Sequence, residues 1–228
     1  MKLRTLSPLE ARVLGVLIEK AHTVPDSYPL SLNSLTLGCN QKTARDPVIN
    51  ASEGEVQVAV DALKSLSLAF ESSGSRVSRY EHNLGRALGL PSQSVALLAV
   101  LMLRGPQTCS ELRINSERLH RFADLSAVEG FLEELAVRSV DKGGALVVRI
   151  ARQPGEREQR WAHLLCGAVA VTSAAAAPGV STDSESFVAA NELAALKAQQ
   201  AALQGEVTQL RVLVDRLYAE LRVARPQG

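Results

Sequence analysis

Leu6-Ser7-Pro8-Leu9-Glu10-Ala11-Arg12-Val13-Leu14-Gly15-Val16-Leu17 and Leu90-Pro91-Ser92-Gln93-Ser94-Val95-Ala96-Leu97-Leu98-Ala99-Val100-Leu101 are two versions of one segment. Each reads as an amphipathic helix entered through a Ser/Pro cap. Two more matches follow in the same order. Val56, Val60 and Leu63 correspond to Val128, Leu132 and Leu135, both sets spaced i, i+4, i+7. Arg79-Tyr80-Glu81-His82-Asn83-Leu84 is echoed by Arg160-Trp161-Ala162-His163-Leu164-Leu165. The offsets of 84, 72 and 81 make an internal duplication with a period of roughly eighty residues.

Helix starts are marked by Ser7-x-x-Glu10, Ser52-x-x-Glu55, Thr108-x-x-Glu111 and Ser126-x-x-Glu129. All four fit the reciprocal box in which the hydroxyl accepts from the third helical N–H and the carboxylate accepts from the cap's own N–H. After the last helix of each half the apolar period drops from about 3.6 to about 2. Residues 68–71 and 76–81 flank a Ser-Ser-Gly-Ser tip, and 145–150 and 160–164 flank Gln153-Pro154-Gly155-Glu156. Three helices followed by a hairpin is the element order of a winged helix. The expected fold is mainly α with small β-hairpins, as two tandem winged-helix domains at 1–88 and 89–166.

Beyond them, 167–183 carries one charge, at its last position, and reads as a flexible Ala-rich linker. Residues 184–228 then read as a coiled coil. Leu193, Gln200, Val207, Val214 and Leu221 fall at a, and Leu196, Leu203, Leu210 and Leu217 at d. Alanine at the terminal d positions, 189 and 224, leaves 193–221 as the firm seam. Valine at a with leucine at d favours a two-stranded parallel coil, and a polar a residue such as Gln200 fixes register. Glu192 with Lys197, Glu206 with Arg211, and Glu220 with Arg225 are g–e pairs that only a parallel dimer brings together. The competing reading is a lone helix packed back on the domains, which needs no such agreement. A homodimer through this coil is the expectation.

The 228 residues are 46% hydrophobic, 21% charged and 4% aromatic, an ordinary globular composition with an aliphatic core. With 25 basic and 24 acidic residues, the chain lacks the overall basic excess that would point to nucleic acid or a membrane surface. No segment is basic either: 1–89 and 90–166 each hold ten basic and nine acidic residues, and 167–228 five and six. No stretch reaches the ~18 apolar residues of a membrane span. Cys39, Cys109 and Cys166 are widely spaced with no CxxC, which fits a reducing compartment. Met1-Lys2-Leu3-Arg4 leads into no apolar run, so no signal peptide is expected and the location read is cytoplasmic.

Catalytic signatures are missing: no GxSxG, HExxH, P-loop or GxGxxG pattern occurs. His82 and His163 hold equivalent places in the two hairpins, and duplication argues for a structural role. Cys39 and Cys109 read as small core residues. The expectation is a protein without enzyme activity, metal or cofactor.

A winged helix brings double-stranded DNA to mind as partner, with its third helix in the major groove and its wing on phosphates. Here helix 52–66 carries Glu53, Glu55 and Asp61 against Lys64, and helix 126–138 carries Glu129, Glu133 and Glu134 against Arg138. Such faces meet phosphate repulsion. Local basic groups remain as candidate nucleic-acid contacts: Lys42 and Arg45 in the long connection, Arg76 and Arg79 in the first wing, Arg157 and Arg160 in the second. Arg149 and Arg152 add to the second wing, and Asn40 and Gln41 could read an adenine edge. Alternatively the wing arginines pair with Glu71, Glu81, Glu156 and Glu158 on a solvated strand face. Two readings stand: a protein-interaction or scaffold module, and a DNA-binding regulator.

Leu9-Glu10-Ala11-Arg12-Val13, Tyr28-Pro29-Leu30-Ser31 and Cys39-Asn40-Gln41-Lys42-Thr43 resemble the first half of the YceH-like family of bacterial proteins. Leu103-Arg104-Gly105, Gln107-Thr108, Glu111-Leu112-Arg113 and Ala151-Arg152-Gln153-Pro154-Gly155-Glu156-Arg157-Glu158 resemble its second half. The similarity covers residues 6–166. It implies a tandem winged-helix fold, with a coiled-coil tail similar to those of some members, and no established activity or ligand residues. Where the family reads Asn-Arg-Glu-Pro, this chain has Ala44-Arg45-Asp46-Pro47, and losing the amide at 44 weakens a base-reading role there.

Overall fold

The computed structural model describes residues 4–72, 77–152 and 158–168. Arg76, Arg157, the linker from residue 169 and the whole heptad segment lie outside the described residues. The chain forms two compact units, Met1–Ala175 and Ala176–Gly228. The first is mostly helical with two small antiparallel sheets.

Its first half runs α1 (Pro8–Thr23), β1 (Leu30–Ser31), α2 (Leu32–Cys39), α3 (Glu53–Ser65), β2 (Ala69–Ser72), β3 (Arg79–His82) and α4 (Leu84–Leu88). Its second half runs α5 (Ser92–Arg104), α6 (Cys109–Asn115), α7 (Leu125–Ala136), β4 (Val147–Ile150) and β5 (Arg160–His163). The duplication read from sequence is visible in these bounds. α1 and α5 begin 84 residues apart, α3 and α7 72, and β3 and β5 81.

Capping explains most of the helix starts. Ser7, Ser52 and Thr108 each cap a helix, with Glu10, Glu55 and Glu111 closing the reciprocal box. Ser31 caps α2 by accepting from the Ser34 N–H. The fourth expected box is not formed. Asp124 caps α7, accepting from the Ala127 N–H at 2.8 Å and from the Ser126 hydroxyl at 2.7 Å. A carboxylate two residues upstream outcompetes the Ser126 hydroxyl, which sits inside the helix, and Glu129 is drawn to Arg149 instead. α7 also ends at Ala136, so Arg138 lies past it with its guanidinium donating to the Leu88 carbonyl.

The sheets are small and differ between halves. β3 pairs with both β1 and β2, in the order β1-β3-β2. In the second half β4 pairs with β5, and the place of β1 is taken by a single bridge, Gln107 N–H to Trp161 O at 3.0 Å and Trp161 N–H to Gln107 O at 2.7 Å. α4 has no counterpart. It ends at Gly89, whose φ of +62° suits a residue without a Cβ, and Leu90 N–H closes the turn on Gly85 O at 2.8 Å.

α1 and α5 depart from the amphipathic reading. Every residue from Glu10 to Ile18 and from Ser94 to Leu103 is buried. Each helix packs on its own half with one side and on the other helix with the opposite side. A helix apolar all round is a buried helix. Gly15 allows the close approach, since a Cβ there would lie 3.0 Å from Leu103. The contact is fastened at two edges, by Leu6 N–H to Leu165 O and Asp46 N–H to Leu103 O, both 2.8 Å.

Gly38 of α2 faces α1 so tightly that a Cβ would stand 2.6 Å from Val16 Cγ1, whereas a Cβ at Gly130 of α7 meets nothing within 4 Å. Gly38→Ala is expected to cost about 1–3 kcal/mol through overpacking. Gly130→Ala is expected to add roughly 0.5–1 kcal/mol through lower helix entropy cost. Urea unfolding of both variants reads the difference, and equal midpoints would refute the packing argument.

Candidate functional site

The long connection from Asn40 to Ala51 holds the residues that the sequence marks most strongly, and Asn40, Gln41 and Arg45 turn inward from it. Asn40 accepts from the Ala51 N–H and donates to the Ala51 carbonyl, both at 2.8 Å, which closes the loop on itself. Arg45 is buried, with a fully covered side chain. Its guanidinium grips the Glu19 carboxylate at 2.5 and 3.1 Å, and also donates to Gly38 O and Gln41 Oε1. Burial works to raise the Glu19 carboxyl pKa, but the Arg45 bonds and the Lys20 charge hold it below the usual range. Arg12 reaches the same loop from α1, donating to Cys39 O at 3.1 Å and Pro47 O at 2.7 Å.

These contacts correct two expectations. Arg45 is not placed to meet a phosphate, because its cation is spent on a buried carboxylate. Asn40 and Gln41 do not offer their amides to a base edge, because the first closes the loop and the second accepts from Arg45 and Lys20. Lys42 is exposed beside them. Ala44 has φ +58°, the left-handed region in which Asn is enriched.

Arg79, Arg149 and Arg160 of the hairpins are tethered too. Arg79 is exposed and donates to the Pro29 carbonyl at 2.9 Å. Arg160 bonds Pro106 O and Glu111 Oε2, both at 3.1 Å. Arg149 lies over the Trp161 ring, 4.7 Å from its centroid, and donates to Glu129 at 2.9 Å and Glu133 at 3.0 Å. Lys64 of α3 bonds Asp61 and Glu71. The acidic third helices therefore draw basic charge onto themselves. Glu81 and Glu158 were expected partners of the arginines; Glu158 instead accepts from the Ser110 hydroxyl at 3.2 Å.

Against this geometry stand the known sequences. A family model described as "Protein of unknown function, DUF480" matches residues 6–156. The chain belongs to the DUF480 family. It is 61% identical over 221 residues to a UPF0502 protein of Burkholderia multivorans, covering 97% of this chain and 91% of that protein. A UPF0502 protein of Burkholderia thailandensis is 60% identical and one of Paraburkholderia phytofirmans 61%, each with the same coverage. The resemblance to a bacterial family without an assigned role therefore holds along nearly the whole chain. In this DUF480 chain the matched region takes in Arg12, Asn40 and Arg45, whose visible work is to hold the connection in place.

His82 and His163 end the two equivalent strands, β3 and β5, and both have a buried Nδ1 without a hydrogen-bond partner. Burial pushes each imidazole down to about 4. Next to His82, the Tyr28 hydroxyl accepts from its backbone N–H at 2.7 Å, and burial raises Tyr28 to about 12. Cys39 ends α2, and burial lifts its thiol to about 12. Among the described residues, no group of three or more His, Cys, Asp or Glu could hold a metal ion, and no helix is long and apolar enough to cross a membrane.

Because both histidines stay neutral when folded, the unfolded chain takes up protons first on acidification, near the ordinary 6.5, and the folded chain only near 4. Their contribution is complete above about pH 6.5 and is lost as the pH falls toward 4. The melting temperature of the wild-type chain should therefore drop between pH 7 and 5. A His82→Gln/His163→Gln variant should start lower and lose most of that slope; an unchanged slope would place the titration elsewhere.

Proposed function

We propose that each half of the first unit is a winged helix, and that the protein is a non-enzymatic, cytoplasmic protein-interaction module held as a homodimer by a parallel coiled coil over 193–221. The order helix, strand or bridge, helix, helix, strand, strand in both halves supports the winged-helix reading. One observation carries the choice of partner. Much of the basic charge beside the third helices is drawn onto carboxylates, through Arg149 with Glu129 and Glu133, Arg160 with Glu111, and Lys64 with Asp61 and Glu71.

What α3 turns outward is Glu53, Glu55 and Asp61 around Val58, which is 71% exposed. A duplex meets phosphate repulsion there. A protein surface with basic groups around an apolar contact is complementary to it. The neutral buried histidines and the buried Cys39 thiol suit packing better than acid–base or nucleophilic work.

Fluorescence anisotropy of the full chain with mixed-sequence duplex DNA tests the reading. At about 50 and 200 mM salt, no saturable binding is expected. Binding that weakens steeply with salt would replace this reading by the DNA-binding regulator. Removing Arg76, Arg79, Arg157 and Arg160 would then flatten the log–log slope by up to ~3.6, at ~0.9 per phosphate contact.

The dimer has its own test. The g–e pairs and the heptad seam predict that light scattering finds a dimer for the full chain and a monomer for one ending at Ala175. A shortened chain that stays dimeric would move the interface off the coil.

A further inference from the structure

A cavity of about 490 Å³ opens where the two halves meet, between the start of α1, the 46–51 stretch and the end of α5. Its size falls within the range of small-molecule sites. Leu9, Ile49, Leu101 and Met102 give it mostly apolar walls.

Arg12 is the buried cation among the lining residues. It is 4% exposed, yet no ion pair involves it among the described residues. Its two hydrogen bonds go to the carbonyls of Cys39 and Pro47, and its Nε is buried without a partner. A guanidinium has five N–H donors, so the two bonds leave most of its capacity open. The contrast with Arg45, equally buried but clamped to Glu19, is instructive. Buried charges are ordinarily paired, because removing an ion from water is costly without a counter-charge.

His163 lines the same cavity, and its Nδ1 is buried without a hydrogen-bond partner. His82 is orphaned in the same way in the first half, so Arg12 is the group that distinguishes this place. The carboxylates that also line the cavity, Asp46 and Glu55, belong to exposed residues; the Asp46 charge acts on Arg12 without bonding it, and Glu55 already accepts from the Ser52 N–H and hydroxyl.

We propose that this cavity binds an apolar monocarboxylate, its chain against Leu9, Ile49, Leu101 and Met102 and its carboxylate toward the Arg12 guanidinium. The site shares Glu55 with the acidic face of α3, but it is built on Arg12 and the apolar walls, so either reading can fail without the other.

Isothermal titration of the full chain with sodium decanoate, and with 1-decanol as the uncharged probe, tests it. Decanoate should bind once per chain and at least tenfold more tightly than decanol, the difference a charge-assisted hydrogen bond supplies. Arg12→Gln should remove that preference. Because Arg12 also holds the 40–51 connection, Ile49→Trp is the second variant: it fills the cavity from a partly exposed position and should abolish binding of both probes. No decanoate binding at millimolar concentration, equal binding of decanol, or undiminished binding by Ile49→Trp would each overturn the proposal.

Discussion

The packing of α1 against α5 is the contact on which the rest of the first unit depends. With 4% aromatic residues the chain builds its core from leucine, valine, isoleucine and alanine. Such a core gains about 1.5–3 kcal/mol for each large aliphatic side chain fully buried. A half of some eighty residues has a poor ratio of buried to exposed surface by itself. Sharing one interface between the two first helices lets each half cover the other's apolar stripe. Gly15 sets the distance, and the Leu6–Leu165 and Asp46–Leu103 bonds fix the edges. The start of the first half and the end of the second are thereby joined, so neither hairpin hangs from a free terminus.

That junction also organises the charged residues. The 40–51 connection must pass from α2 to α3 while lying against α5. It is held by Arg12 and Arg45 from within rather than by contacts to solvent. Arg45 bonds a carboxylate, whereas among the described residues the hydrogen bonds of Arg12 go to carbonyls. This asymmetry between two neighbouring buried cations gives the inter-half cavity its chemistry. On the outer surface, the third helices and hairpins neutralise one another, at little gain in stability because exposed ion pairs contribute modestly. The consequence is electrostatic: a face that would be basic in a DNA reader is near-neutral or acidic here.

The two halves have diverged around a shared frame. β1 with its two-residue ladder survives in the second half as the Gln107–Trp161 bridge alone. The cap of the second helix is kept, as Ser31 in one half and Thr108 in the other, because the strand-to-helix turn needs a hydroxyl in both. The strand-end histidine is kept too, each time half-buried with a covered Nδ1. The aromatic two residues before it is Tyr80 in one half, with its hydroxyl on Gln57, and Trp161 in the other, under Arg149.

Local signals were legible without coordinates. The duplication, the helix starts at Ser7, Ser52 and Thr108, both hairpins and the equivalent places of His82 and His163 depend on spacing and short-range hydrogen bonding, which a sequence states directly. Ser126 misled because a serine and an aspartate two residues apart offer competing caps, and the stronger acceptor won. α4 went unread because five residues carry too little periodicity. Only the tertiary structure decided that α1 and α5 are buried along their middles, that Arg45 turns inward to Glu19, and that Arg12 makes no ion pair among the described residues. The physical reason is range. Capping and periodicity act within a few residues, whereas the partner of a buried charge or of a second apolar face comes from a distant part of the chain.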